Sequence, residues 1–176
     1  MPSGVYPGML SNYTDDLLFS MERLSVQPYS LQRLGVDRTL PFNVDGDITL
    51  RITSLPLAEL LGSGRLFYID YSHFAEWEME NKYGAACQAY FFIHPLSGKF
   101  LPLAIKTNTA EPSLIYTPED DETDWQFAKM MFNQNDFWHA AWYHFASTHY
   151  VFEIRYMAAI RTLNEEHPIR LILDRR

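Results

Sequence analysis

The chain has a single cysteine, Cys87, in 176 residues, which excludes an internal disulfide and any thiolate-rich zinc cluster. It is also short of positive charge: 14 Lys and Arg stand against 22 Asp and Glu, for a formal net charge of −8. Recognition of nucleic acid needs a basic footprint on phosphate, so that class of partner is excluded. No apolar stretch is long enough to span a bilayer, and the N-terminus lacks a basic-then-apolar signal pattern, which leaves the compartment unassigned. Glycine is missing after Gly98, and no proline falls between Pro118 and Pro168. What is plentiful is apolar and aromatic surface, 47% and 15% of the residues, enough for a sizeable core and against disorder. The length fits one domain.

Several features have bland local readings. Cys87 lies in the run Ala85-Ala86-Cys87-Gln88-Ala89-Tyr90 and reads as a small core residue. Five of the six residues from Glu119 to Asp124 are acidic, which reads as a solvated loop rather than a calcium site. Asn12-Tyr13-Thr14 is a glycosylation triplet of a kind that often arises by chance.

Leu17, Leu18, Met21 and Leu24 recur at helical spacing and predict a helix over Thr14 to Leu24, stopped by Pro28. Gln27 to Gly64 alternates short apolar pieces with Pro, Gly and Asp, which predicts loops and one short helix near Leu57 to Leu61. Leu66 to Tyr71, Gln88 to Ile93 and Phe100 to Lys106 are rich in aromatic and β-branched residues and read as strands. Pro95-Leu96-Ser97-Gly98 is a turn, so the last two strands pair as a hairpin, with Pro102 at an edge or a bulge. From Asp124 onward the chain is helical, capped by Thr123 or Asp124. A run of roughly 40 residues exceeds a normal globular helix. Either it breaks once, at a bulge or a polar turn near Asn164-Glu165-Glu166, or it is the long central helix of a large helical domain. The coarse division is helix and loops over about residues 1–65, a β-rich part over 66–117, and a long helical part over 124–176. That is a mostly α chain of α+β character.

Four of the six histidines fall in the helical part: His139, His144, His149 and His167. An interval of five is unusual for ligands on one helix. At about 100° per residue, positions i and i+5 lie roughly 140° apart and cannot share a small ion. The usual helical pairs are i, i+3 and i, i+4. In a π-helix, with about 4.4 residues per turn, i+5 returns to within roughly 50° of i, and such turns tend to mark functional sites. If His144 and His149 hold one ion, the helix between them must therefore be π-bulged. Ser147 and Thr148 could bond to the carbonyls that such a bulge frees. On spacing alone, four separate histidines with local hydrogen bonds remain the better reading.

The order of the residues adds more. His139, His144, His149 and His167-Pro168 reproduce the series His-x4-His-x4-His-x17-His-Pro, and Trp125-Gln126-Phe127-Ala128-Lys129 upstream is similar to W-x-x-A-K. Gly64-Arg65-Leu66-Phe67 with Asp70-Tyr71, the stretch Gly98 to Ile105, Leu40-Pro41-Phe42, and Phe19 to Pro28 follow the same order. Together these blocks resemble the lipoxygenases, from about Phe19 to the last residue.

The resemblance implies a partial lipoxygenase catalytic domain, with a small antiparallel β region and a long central helix carrying the histidines. It implies one non-haem ion, iron or manganese, that cycles between +2 and +3. The substrates would be O2 and a polyunsaturated fatty acid with a cis,cis-pentadiene, giving a hydroperoxide after hydrogen abstraction. Neutral imidazoles suit such an ion better than thiolates do. His144 and His149 match two metal ligands, while His139 and His167 match histidines that lie near the metal without binding it. Trp142, Phe145 and Phe152 are expected in the core rather than in a fatty-acid channel.

Two departures stand out. The acidic-Pro that follows the third histidine in the family reads here Glu153-Ile154, and Ala158 to Leu163 looks closer to the fungal manganese branch. The family's remaining ligands, a third histidine, an Asn or His and the terminal carboxylate, come from later sequence than Arg176. The expectation is accordingly a piece of the domain that lacks its C-terminal part and is inactive alone. The alternatives are a non-catalytic helical interaction module derived from a lipoxygenase, or another two-histidine metal protein recruiting His73 or His94.

Overall fold

In the computed structural model, residues 12–25, 28–76, 84–107 and 113–173 are described, the side chains of His144 and Ser147 excepted. The chain divides into two compact units, Met1–Asp136 and Phe137–Arg176. Its class is the one expected: mostly helical, with a small antiparallel sheet.

The first unit is built on a five-stranded meander in the order β1-β2-β3-β4-β5, with β1 Gln32–Arg33, β2 Leu66–Asp70, β3 Cys87–Ile93, β4 Phe100–Thr107 and β5 Leu114–Tyr116. Every neighbouring pair is antiparallel. The expected hairpin is β3–β4, closed by a turn in which Gly98 takes a φ of 67°. Such a left-handed backbone suits a residue without a Cβ. Pro102 sits at a bulge: Tyr90 faces Ala104 and Phe91 faces Pro102, leaving Leu103 as the extra residue. Consecutive residues on one side are what a bulge produces. Leu103 and Ala104 accordingly both join the cluster formed by Leu34, Phe42, Leu60, Leu66, Tyr68, Tyr90 and Phe92.

The sheet is covered on both faces, so β3 is buried along nearly its whole length instead of alternating. One face carries that cluster, with Ile52, Leu57 and Leu61 from helices α2 (Gly46–Thr53) and α3 (Leu57–Gly62) packed on it. On the other face Phe91 meets Phe19 of α1 (Asp16–Ser25), with ring centroids 6.0 Å apart, and Phe132 of α4 (Glu122–His139) at 5.8 Å. Cys87 is fully buried and burial pushes its thiol up to about 12, so it is the inert core residue expected.

Polar bonds tie α1 to α4. Asp16 Oδ1 accepts from Lys129 Nζ at 2.7 Å and from Trp125 Nε1 at 2.9 Å, and Lys129 also donates to the Thr14 carbonyl at 2.9 Å. Lys129 is only 1% exposed, so its charge needs that partner.

Two expectations need correction. The stretch Gln27 to Gly64 holds two helices, because Asp45 caps a second one: its Oδ1 accepts the amides of Asp47 and Ile48. Helix α4 starts at Glu122, not after Thr123 or Asp124, since Asp121 Oδ1 accepts the Thr123 amide and the Asp121 carbonyl the Trp125 amide. The acidic run is exposed, yet it does local work. Asp120 accepts the Thr117 amide, and Glu119 pairs with Arg51 at 2.6 Å.

The second unit takes up the chain from Phe137 in the last turn of α4. A π-helix follows over Ala140–Tyr150, then α5 over Val151–Thr162 and α6 over Pro168–Leu173. The helical run breaks once, at the polar turn foreseen near Asn164. Leu163 is extended, Asn164 Oδ1 accepts the Glu166 amide, and Pro168 opens α6.

Candidate functional site

The π segment is eleven residues long and spans both His144 and His149. A π-helix usually appears as a single-turn bulge, so this is an extended example. With about 4.4 residues per turn the backbone positions 144 and 149 lie on nearly one face, the arrangement that an α-helix forbids. The condition that spacing set on a shared ion is thus met by the backbone.

The four sequence-selected histidines have different surroundings. The His144 side chain lies outside the described residues. His149 is exposed, its ring 5.2 Å from that of Phe145. His139 closes α4 and stacks on Tyr143, with centroids 4.5 Å apart. His167 is half-buried at the start of α6, where its Nδ1 accepts the Ile169 amide at 3.2 Å. The two other histidines belong to the first unit. His94 is used by its hairpin turn, Nδ1 accepting the amides of Leu96 and Ser97 at 3.3 Å, and His73 packs on Phe74 at 4.3 Å.

Beside His149 runs an open groove of about 430 Å³, lined by Tyr150, Glu153, Ile154, Met157 and Arg161. Glu153 and Arg161 were not chosen as site residues from sequence. His149, Glu153, Met157 and Arg161 recur at intervals of four, and that spacing is the signal which could have found them. Trp142, Phe145 and Phe152, expected in the core, are 63%, 48% and 63% exposed. The physical reason is that no described residue of this unit is buried, so the unit has no layer to receive them.

As a place for a transition metal, the donor type fits. Imidazole nitrogen suits iron or manganese. Among the described residues, however, no group of three or more His, Cys, Asp or Glu could hold an ion. Nor is any helix there long and apolar enough to cross a membrane.

Helix, sheet and histidine series together match a known family. The lipoxygenase family model matches residues 44–175, and the chain belongs to the lipoxygenase family. Manganese lipoxygenase of Nakataea oryzae is 50% identical to it over 177 residues, an alignment covering 99% of this chain and 28% of that protein. The manganese lipoxygenase of Colletotrichum gloeosporioides (strain Cg-14) is 48% identical, with 99% and 29% covered. Among solved structures, manganese lipoxygenase of Gaeumannomyces graminis superposes with a TM-score of 0.85 at 46% identity, covering 99% of this chain and 31% of that one. The chain therefore spans under a third of the length of these relatives.

Proposed function

We propose that this chain carries part of the active site of a lipoxygenase acting on polyunsaturated fatty acids, with His144 and His149 as two ligands of one redox metal ion. The observation that carries the reading is the π-helix under a His-x4-His pair in a chain of this family. The manganese lipoxygenases at about half identity favour manganese over iron. When bound, the ion would supply the one-electron chemistry needed to take a hydrogen atom from the doubly allylic carbon before O2 adds. The chain's own part is to bring two histidine positions to one helix face. His139 and His167 would then steady the surroundings through packing and hydrogen bonds, not by binding the ion.

Two imidazoles hold a divalent ion weakly, so the 176-residue protein is expected to bind manganese loosely and to form no conjugated diene from linoleate. Equilibrium dialysis against manganese, read by metal analysis, tests the ligands: His144→Ala and His149→Ala should each weaken retention at least tenfold. Retention unchanged in both variants would overturn the assignment. Diene formation by the chain alone would overturn the insufficiency of two ligands.

A second reading, a non-catalytic interaction module, is favoured by the exposed apolar side chains of α5 and α6, among them Ile154 and Ile172 at 69% and 72%. It predicts that the two histidine variants leave every binding property unchanged.

A further inference from the structure

Helix α1 buries Phe19, Ser20 and Arg23. Beside that face Leu17, Met21 and Leu24, at i, i+4 and i+7, form an apolar stripe that the unit leaves partly open, with Met21 and Leu24 at 47% and 43% exposure. Opposite the stripe stand Leu31, Phe67 of β2, Ile93 at the end of β3 and Phe100 at the start of β4. Phe67 meets Phe100 edge to face, with centroids 5.6 Å apart, and Phe91 stacks on Phe100 at 5.4 Å, so this wall rests on the packed side of the sheet. The two walls border an open groove of about 360 Å³ that belongs to the first unit alone.

Its described lining carries one charge, Lys99 in the hairpin turn. The turn fixes where that residue stands: the Lys99 carbonyl accepts the His94 amide at 2.9 Å, and the Gly98 amide donates to the His94 carbonyl at 2.9 Å. Among the described residues the Lys99 ammonium has no ion-pair partner.

Size and chemistry limit what can enter. One turn of α-helix, about 10 Å across and 5.4 Å long, takes up roughly 400 Å³, more than the whole groove. An extended peptide would bring amides against walls whose one polar side chain is Lys99, and amides that lose water there without a partner cost free energy. An acyl chain has no polar group along its length, so apolar walls suit all of it. A carboxylate at its end supplies the anion that Lys99 lacks, which is the usual pattern of an apolar site with one polar group to orient the ligand.

We infer that this groove binds a long-chain fatty-acid anion, with the chain between the α1 stripe and Phe67 and Phe100, and the carboxylate on Lys99. The inference uses residues of the first unit only and does not rest on the metal reading above.

Methyl NMR of the full chain, titrated with oleate below its micelle concentration, tests it. Saturable shifts are expected at Met21, Leu24 and Ile93. Lys99→Glu should weaken oleate binding by about fivefold or more and leave oleyl alcohol within about twofold, because only the acid uses the charge. Met21→Glu should weaken both by about fivefold or more, because it sets a charge against the acyl chain. Both positions are exposed, and amide shifts along β3 that match the parent check that each variant is folded. Lys99→Gln is the milder second variant, with a loss of about twofold or more for oleate alone. Shifts confined to Ile154 and Met157 of the second unit, a titration that does not saturate, or oleate binding indifferent to both Lys99 variants overturns the inference.

Discussion

In the first unit Phe19, Phe91 and Phe132 pack together at 0% exposure, while in the second Trp142, Phe152, Ile154 and Ile172 are between 63% and 72% exposed. Both units are rich in apolar residues, and only the first covers them with its own chain. Its sheet is buried between two helical layers and its charges are paired, as Lys129 with Asp16. In the second, no described residue is buried. The order of that unit rests on backbone hydrogen bonds within its helices and on the turn at Asn164. Its π-helix has histidines five apart, and its apolar side chains are exposed.

The comparison can be broken most sharply at Phe91. Phe91→Ala removes a fully buried ring from between α1 and α4 and should cost about 3–5 kcal/mol, read by urea unfolding of the full chain. A loss under about 1 kcal/mol would mean the first unit is not organised round this face of the sheet. The equal and opposite expectation holds at Phe152, where Phe152→Ser should change stability by no more than about 0.5 kcal/mol because the ring is mostly in solvent. A large loss there would show that the second unit hides a core of its own.

The smallest effect is at the surface of the first unit. Its hydrogen bond to Arg51 holds the Glu119 carboxyl below its ordinary value. A group with a depressed folded pKa gives stability that is complete above the ordinary glutamate value, about 4.3, and is lost as pH falls through the depressed one. Thermal midpoints of the parent and Arg51→Met should thus differ slightly near neutrality and converge in acid. Curves that stay parallel to the lowest pH would deny the ion pair any part in stability.

How far these features could be read from sequence follows from the same contrast. The β3–β4 hairpin was legible because aromatic and β-branched runs flank a Pro-Leu-Ser-Gly turn, and the bulge because Pro102 cannot donate. The single break near Asn164 was legible for the same local reason. Helix α2 was not: Ile48, Thr49, Ile52 and Thr53 are β-branched, and their helix depends on the Asp45 cap and on Thr49 and Thr53 hydroxyls donating to carbonyls four residues back. Strands β1 and β5 are two and three residues long, too short for any pattern. At the candidate site, spacing set a condition on the backbone that the π-helix meets. It said nothing of the exposure of Trp142, Phe145 and Phe152, because an apolar residue looks the same whether its cover lies in its own unit or elsewhere.

The central claim is that residues 144 and 149, brought to one helix face, hold the same ion. Pulsed EPR of the manganese-loaded protein counts the histidine nitrogens coupled to the metal. Two coupled imidazoles are expected in the parent and one in each of His144→Ala and His149→Ala. A parent spectrum with no coupled imidazole, or one that neither substitution alters, would contradict it.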